Sequence, residues 1–188
     1  MPERLRWKVL VLVCLFRTAT YYCADIPSTM QGAIMTDYAV SSTQYGLITA
    51  MISVPAIFTS FFTGMLSDKF GSKTLMLPMI ILVCLGMAIQ TSSAYLRNFN
   101  LLLFGRFVFA LGYESINVLK GIIINDWFLG AELSTANSIN LSFVRGIVFI
   151  SGAFTPLILE HTSLTGAFGV GCLVCLLSFG ATTRLVDY

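Results

Sequence analysis

Six long apolar stretches make up most of this 188-residue chain, and they constrain its fold more than any other feature. An α-helix needs roughly 20 apolar residues to cross the core of a bilayer. Charged residues are only 11% of the chain, against about 25% in soluble domains. Transmembrane β-barrels show short alternating segments instead of long apolar runs. The sequence therefore predicts an all-α membrane protein with six transmembrane helices, at about 7–34, 42–66, 74–92, 101–128, 131–159 and 164–186.

Local signals refine these six predicted spans. Pro27 predicts a kink near the outer end of the first span, and Ser41 and Ser42 form a helix-capping pair before the second. The short connections predict that consecutive helices are antiparallel neighbours. Small residues at four-residue spacing predict close approach of helices: Gly46 and Ala50 in the second span, Ser142 and Gly146 in the fifth.

The loops between the spans differ in their basic residues. If the N-terminus lies in the cytosol, the outer side carries only Arg97. The inner side then carries six basic residues: Arg4, Arg6, Lys8, Lys69, Lys73 and Arg184. Because Lys and Arg are enriched in cytoplasmic loops, the sequence predicts a cytosolic N-terminus.

Several classes of function find no support in the sequence. The net charge of +2 comes with dispersed basic residues, which argues against a nucleic-acid partner. Cys172 and Cys175 have CxxC spacing but lie in an apolar run, so we expect them to pack and not to perform redox chemistry. His161 has no second ligand at a suitable spacing, and we expect no metal site and no cofactor. No hydrolase triad, HExxH motif or carboxylate pair is present, so we do not expect an enzyme.

The loop between the second and third spans carries a compact motif, Gly64-Met-Leu-Ser-Asp68-Lys69-Phe-Gly71-Ser-Lys73. Gly64 permits close helix contact and Gly71 permits a tight turn. Asp68 suits a helix N-terminus, where negative charge is favoured. The two lysines can reach an acidic partner, for which Asp126, at the inner end of the fourth span, is the natural candidate.

This loop resembles the signature loop of the major facilitator superfamily in both its residues and its position, with Ser72 replacing a basic residue. Gly105-Arg106, followed by small residues to Gly112, resembles the second motif of that superfamily, although Phe109 stands where Gln is usual. We expect an Arg106–Asp25 pair, because both charges lie near the outer ends of their spans. The resemblance implies that residues 1–188 form the N-terminal six-helix half of such a transporter, a 3+3 inverted repeat.

Three further segments resemble the lysosomal dipeptide transporters of that superfamily. They are Tyr22 to Gln31, Gly112 to Val118, and Asp126 onwards to Arg145-Gly-Ile. This resemblance implies transport of dipeptides, a lysosomal location and an accessory membrane glycoprotein as partner. It also implies that Glu114 faces the substrate amine and that Arg145 faces its carboxylate.

Position in the membrane independently selects the same pair. Glu114 and Arg145 are each about 20 Å deep by helical rise, close to the bilayer midplane. Secondary transporters bind their substrate there, and charges at that depth are costly unless they are paired or face a cavity. Arg17 lies at similar depth and belongs to the same predicted site, as does Tyr113, whose hydroxyl could donate a hydrogen bond. The alternative is a structural Glu114–Arg145 salt bridge.

The predicted function is transport of dipeptides or amino-acid-like zwitterions by alternating access. We expect this function to require a C-terminal six-helix half that is missing from residues 1–188. Two alternatives stay open. In an organic-anion carrier, Arg17, Arg106 and Arg145 would all face the substrate. The second alternative is a non-transporting membrane scaffold or sensor. The signature loop at residues 64–73, which we expect to gate the switch between two transport states, argues against it because a scaffold needs no such switch.

The charge bias of the loops gives a first testable prediction. Single cysteines replacing Lys73 and Arg97 should be labelled by an impermeant thiol reagent from opposite sides of the membrane, with position 73 reacting from the cytosol. A cysteine-free background, still folded, is the control. Labelling of both positions from one side would exclude the six-span arrangement.

Overall fold

The computed structural model describes the backbone of residues 3–186 and the side chains of residues 6–180, 182 and 183. The side chains of Arg4 and Arg184, which entered the charge bias, lie outside the described residues. The described part consists of seven α-helices: α1 (Glu3–Thr29), α2 (Gln31–Asp37), α3 (Ser42–Phe70), α4 (Ser72–Leu96), α5 (Phe99–Trp127), α6 (Ala131–His161) and α7 (Leu164–Val186). Each predicted span corresponds to one helix except the first, which contains α1 and α2.

The first predicted span is interrupted near its outer end. We expected a helix reaching Ile34, but α1 ends at Thr29 and α2 begins at Gln31. Pro27 lies in the last turn of α1, where it removes the hydrogen bond that an N–H would donate to the Cys23 carbonyl and so weakens the end of the helix shortly before the break. The chain turns at Met30, whose φ of −117° and ψ of 26° are not helical.

Capping residues fix where two of the helices begin. The Ser41 hydroxyl accepts a hydrogen bond from the Gln44 N–H at 3.3 Å, and the Gln44 side chain accepts one from the Ser41 N–H at 2.9 Å. This reciprocal pair confirms the predicted cap of the second span. Asn98 caps α5 in the same way, accepting from the Leu101 N–H at 3.2 Å.

Consecutive helices are mostly not the closest neighbours, which corrects the sequence prediction. Only α4 and α5 both follow each other and pack extensively. The other extensive interfaces join α3 to α5, α4 to α7, α1 to α7 and α1 to α6. A short loop forces two helix ends together but leaves their axes free to diverge, so side-chain packing decides which helices lie side by side.

The packing pattern has the symmetry of a repeat. The first three spans begin with α1 and continue with α3 and α4, and they correspond in order to α5, α6 and α7. Under this correspondence the α1–α6 interface is equivalent to α5–α3, and the α1–α7 interface to α5–α4. The α4–α7 interface is equivalent to itself. Successive spans run in opposite directions, so units three spans apart are inverted. The fold is therefore a 3+3 inverted repeat, in which α1 and α5 are equivalent.

The helices have the length and surface of membrane spans. Within the described residues, α1 and α3 to α6 are long and apolar enough to cross a bilayer, and α7 contains a shorter apolar segment, Leu164–Gly180. Their outer faces expose large apolar side chains, among them Ile57, Phe61, Phe149 and Leu177. The least covered helices are α3 and α6, which are also equivalent in the repeat. Only Ile48, Pro55, Thr63 and Ser67 of α3 are buried.

Glycines allow the closest helix contact, but not those predicted. A Cβ added to Gly46 or Gly146 would meet nothing within 4 Å. A Cβ on Gly86 of α4 would lie 2.5 Å from the Phe109 backbone nitrogen of α5, and one on Gly112 would lie 2.6 Å from the Met79 carbonyl oxygen. Four-residue spacing of small residues permits an interface, but the shape of the opposing helix determines whether one forms.

This contact predicts a large difference between two glycines. Gly86→Ala should destabilise the bundle by roughly 1–3 kcal/mol, because the backbone of α5 cannot move aside for a new methyl group. Gly169→Ala in α7 is the matched control, since a Cβ there meets nothing within 4 Å and alanine favours helix. Thermal unfolding in detergent, followed by tryptophan fluorescence, measures both. Equal midpoints for the two variants would contradict the α4–α5 packing.

Candidate functional site

Arg106 of α5 binds α1 in the turn before Pro27. Its guanidinium is 3% exposed and donates to the Cys23 carbonyl at 3.3 Å and the Ala24 carbonyl at 2.6 Å. In a regular helix the Cys23 carbonyl would accept from the N–H of the residue four positions later, but that residue is Pro27. Arg106 therefore satisfies a backbone oxygen that proline leaves unpaired inside an apolar bundle.

The expected Arg106–Asp25 ion pair is not present, which corrects the sequence prediction. The Asp25 carboxylate instead accepts a hydrogen bond from the Ser28 hydroxyl at 2.9 Å. Across the residues whose side chains are described, the ion pair that forms is Arg6–Glu132, at 3.1 Å. The Cys23 and Ala24 carbonyls of α1 offer Arg106 two acceptors without the cost of desolvating a second charge.

Arg17 of α1 lies at the centre of a buried polar cluster. One terminal nitrogen, Nη1, donates to the Asn140 side chain of α6, and the other, Nη2, donates to Tyr21 and to Asn117 of α5. The guanidinium also lies 4.5 Å from the centre of the Tyr21 ring, at cation–π distance. Arg17 is only 5% exposed, so these contacts enclose the side chain that we predicted as a substrate ligand.

An aromatic column connects the two buried arginines. Tyr21 packs edge-on against Tyr113 with ring centres 5.5 Å apart, and Tyr113 stacks on Phe109 at 5.8 Å. The Arg106 guanidinium lies 5.4 Å from the centre of the Phe109 ring. Tyr113, another predicted substrate residue, is thus half-buried within the column, and Phe109, unusual at its motif position, completes the column.

Glu114 faces away from the helix packed behind it. It lies two residues from Gly112, whose position contacts α4, and two residues place side chains about 200° apart on a helix. The Glu114 side chain is half-buried. It lies one turn from Asn117, which bonds Arg17, and next to Ser115, whose hydroxyl shares a 2.8 Å hydrogen bond with Thr63 of α3. Glu114 therefore lies on the side of α5 between α1 and α3.

Arg145 has a comparable position on α6. Two residues earlier, Phe143 lines an apolar groove formed with Trp7, Leu10, Val11, Cys14 and Leu15 of α1. Arg145 points roughly the opposite way, away from that groove, and is exposed. In the described part of the chain neither Glu114 nor Arg145 has an ion-pair partner. The alternative of a structural Glu114–Arg145 salt bridge is therefore not what the structure shows.

The signature loop is partly as predicted. Gly71 has a φ of +82°, a conformation that favours glycine, and joins α3 directly to α4. Asp68, however, lies in the last turn of α3 and not at a helix N-terminus. A Cβ on Gly64 would meet nothing within 4 Å, so this glycine does not make the predicted close contact within the described chain.

The predicted pairing of the loop lysines with Asp126 is also absent. Asp126 is exposed, and the described residues provide it with no cationic partner. The Lys73 ammonium lies instead 5.9 Å from the ring centre of the adjacent Trp127, and the Lys69 ammonium lies 5.4 Å from the ring centre of Phe70. Both amines stay at the surface, where an exposed ion pair gains little over hydration.

Sequence reasoning missed the contacts that close this end of the bundle. The Arg6–Glu132 pair joins the start of α1 to the start of α6, and Trp7 packs edge-on against Phe128 at 5.7 Å. It also missed Asn117 and Asn140 as partners of Arg17. Their signal was present, because an amide inside an apolar run requires hydrogen-bonding partners, but the sequence does not say which.

The sequence profile of the Major Facilitator Superfamily matches residues 10–187 of this chain. The chain belongs to the major facilitator superfamily. This confirms the resemblance of the signature loop and the second motif, and it makes the chain a multi-pass membrane protein.

Among curated members of the superfamily, the chain is similar to two lysosomal dipeptide transporters. It is 34% identical over 147 residues to MFSD1 of Homo sapiens, covering 77% of this chain and 32% of that protein. It is 33% identical over 190 residues to MFSD1 of Pongo abelii, covering 99% of this chain and 41% of that protein. The chain thus spans well under half the length of these relatives.

Solved structures show the same superfamily fold. An auto-inhibited peptide transporter of the POT family superposes with a TM-score of 0.77 at 14% identity, covering 96% of this chain and 37% of that one. The POT family transporter PepTSo superposes with a TM-score of 0.72 at 16% identity, covering 98% of this chain and 37% of that one. The predicted six-span architecture is confirmed. The family and the curated relatives are transporters, which agrees with the prediction that the chain is not an enzyme.

The contacts of Arg106 predict unequal effects of two charge removals. Arg106→Met should destabilise the protein by about 2 kcal/mol or more, because buried carbonyls lose hydrogen bonds from a charged donor. Asp25→Asn should cost less than about 1 kcal/mol, because its partner is a serine hydroxyl. Thermal unfolding in detergent measures both.

A second change tests the cause. In the Arg106→Met background, Pro27→Ala should recover part of the loss, because the new N–H can bond the Cys23 carbonyl. If Asp25→Asn proved as damaging as Arg106→Met, the ion pair first expected would be the correct description.

Proposed function

We propose that this chain is the N-terminal half of a transporter that moves dipeptides, or similar zwitterions, across a membrane by alternating access. One observation carries the proposal. Glu114 and Arg145, of opposite charge, both lie near the middle of their helices, Glu114 facing away from α4 and Arg145 away from the groove formed with α1, and neither has an ion-pair partner among the described residues. Charges at that depth that are left unpaired point to a ligand.

The two charged ends of a dipeptide complement such a pair. The charged ends of a dipeptide are at most about 7 Å apart, since two extended residues span no more. Glu114 receives the amine. Arg145 receives the carboxylate, which a guanidinium grips through two parallel hydrogen bonds. Tyr113, beside Glu114 and fixed by its neighbours in the aromatic column, lies close to the amine end.

The curated relatives support the choice of substrate. The two relatives named above are called lysosomal dipeptide transporters, and the similarity includes the segments that carry Glu114 and Arg145. By the same similarity we propose a lysosomal or related endomembrane location and an accessory membrane glycoprotein as partner. The N-terminus faces the cytosol, as the basic bias of the loops indicates.

A second six-helix half completes the transporter in this proposal. The helices α3 and α6 expose most of their length, and they are the equivalent members of the two repeat units. Their free surfaces provide the contact along which the halves rock. The loop carrying Asp68, Lys69 and Lys73, together with nearby Asp126, lies at the inner ends of these helices and serves as the gating element.

The organic-anion alternative loses two of its three arginines. The terminal nitrogens of Arg106 bind backbone carbonyls, and those of Arg17 bind amide and phenol oxygens. Only Arg145 retains a guanidinium without such partners among the described residues. Nothing in the described part of the chain favours a scaffold or sensor over a transporter.

The site makes a sharp prediction for transport, measured as uptake by the full-length protein in proteoliposomes. Arg145→Lys should weaken dipeptide binding by roughly tenfold or more, although it keeps the charge, because lysine cannot make the two parallel bonds. Glu114→Gln should weaken peptides with a free amine, while N-acetylated peptides, already poor substrates, should lose little more.

A charge swap provides the control. If the two residues bind the charged ends of the peptide, the double variant Glu114→Arg with Arg145→Glu should fold but fail to transport dipeptides. The reason is that α5 and α6 would then each present a charge of the wrong sign to the substrate. Normal dipeptide uptake by the swap variant would show that the two residues interact with each other and do not recognise the ends of the peptide.

A further inference from the structure

Arg17 joins three helices at the depth of the proposed site. It belongs to α1, in the first three-span unit, and its partners Asn117 and Asn140 belong to α5 and α6, in the second. These are the helices that carry Glu114 and Arg145. Direct packing of α5 on α6 and on α1 is slight, so the hydrogen bonds of Arg17 provide a direct link between α5 and α6.

The cluster lies just to one side of the proposed site. Glu114 is three residues before Asn117 on α5, an axial offset of about 4.5 Å, and Arg145 is five residues after Asn140 on α6, about 7.5 Å. Because α5 and α6 run in opposite directions, both offsets point the same way, toward the end of the bundle where α1 meets α2. Along the bundle axis, Glu114 and Arg145 thus both lie on the same side of the Arg17 cluster.

Both terminal nitrogens of the Arg17 guanidinium are engaged within the protein. Nη1 donates to Asn140, while Nη2 donates to both Asn117 and Tyr21, whose own hydroxyl donates to the Asn117 oxygen at 3.1 Å. The Nε atom is buried without a partner, and the whole residue is 5% exposed. A substrate carboxylate could reach the terminal nitrogens only by displacing these charge-assisted hydrogen bonds.

We propose that Arg17 is a positioning residue. Through its two terminal nitrogens it sets the separation of the α5 and α6 walls, and hence of Glu114 and Arg145, without touching the transported peptide. The fork geometry of a guanidinium is essential to this role, because two acceptors on two helices need donors in two fixed directions. The inference rests on the function proposed above.

The discriminating experiment compares three probes in proteoliposomes containing the full-length protein: a free dipeptide, its N-acetylated form and its C-amidated form. Each probe is measured by its inhibition of radiolabelled dipeptide uptake. The ratio of inhibition by the free dipeptide relative to its N-acetylated form reports recognition of the amine, and the ratio relative to its C-amidated form reports recognition of the carboxylate. The wild type must first show a preference for the free peptide at both ends. A wild type without either preference would overturn the proposed function, and with it this inference.

In Arg17→Lys, positioning predicts that both ratios fall together by roughly tenfold, because moving one wall misplaces the amine and carboxylate contacts alike. If Arg17 were itself a ligand of the carboxylate, only the preference for a free C-terminus would fall. If it served folding alone, the amount of folded protein would fall while both ratios stayed at wild-type values. Either of these results would overturn the proposal.

Variants of a partner residue keep the test decisive if Arg17→Lys folds poorly. Asn140 is 1% exposed and cannot contact the substrate. Asn140→Leu removes the acceptor and should reproduce the joint fall of both ratios. Asn140→Asp keeps an acceptor oxygen for Nη1 and should stay within about twofold of wild type. Equal ratios for the Leu and Asp variants, in folded protein of matched amount, would contradict the positioning role.

Discussion

Two arginines buried in an apolar bundle constrain this structure more than any other interaction. Neither Arg17 nor Arg106 pairs with a carboxylate among the described residues, and each is at least 95% buried. Their charge is met by neutral dipoles: backbone carbonyls, side-chain amides, a phenol oxygen and aromatic ring faces. An ion pair would require a second charge to be desolvated as well. Backbone carbonyls, one of them freed by Pro27, and amides already inside the bundle add no such cost.

This solution makes α1 the central helix of the chain. Arg106 binds α1 from α5 in the turn before Pro27, and Arg17 binds α5 and α6 from α1 near mid-depth. On the remaining side, the Ser178 hydroxyl of α7 donates to the Phe16 carbonyl at 2.6 Å. The helix with a broken backbone thus becomes the one held from three directions. In contrast, α3 and α6 are attached along one face only and leave the rest of their surface uncovered.

The sequence was sufficient for those features that depend on one segment alone. Six apolar runs predicted six spans because a bilayer imposes their length, and Ser41 and Gly71 were identified because caps and positive φ angles require particular residue types. Prediction failed wherever the answer depended on which helices meet. Glycine spacing in α3 and α6 indicated close contact, but the backbone contact is made by Gly86, whose opposing surface belongs to another helix.

The partners of the charged residues show the same limit in the site. Arg106 and Asp25 were expected to pair because charge is the only complementarity that a sequence displays, yet the better acceptors were carbonyl groups that every residue has. The sequence identified one available carbonyl, that of Cys23, because Pro27 lacks the N–H that would otherwise bond it. Asn117 and Asn140 were likewise visible as amides in apolar runs, without any indication that they share an arginine.

A division of labour among the charges follows from this pairing. In an apolar medium, a charge that is satisfied by fixed dipoles is held in place and is unavailable to a ligand, so it can shape a site but not bind within it. A charge left without a partner is costly unless something else meets it during function. Arg17 and Arg106 belong to the first kind, and Glu114 and Arg145 to the second. Of the three arginines in the apolar runs, the hydrogen bonds of Arg17 and Arg106 leave Arg145 available to the proposed site, together with the Glu114 carboxylate. In the proposed function, this pair of opposite charges matches the two charged ends of a zwitterion.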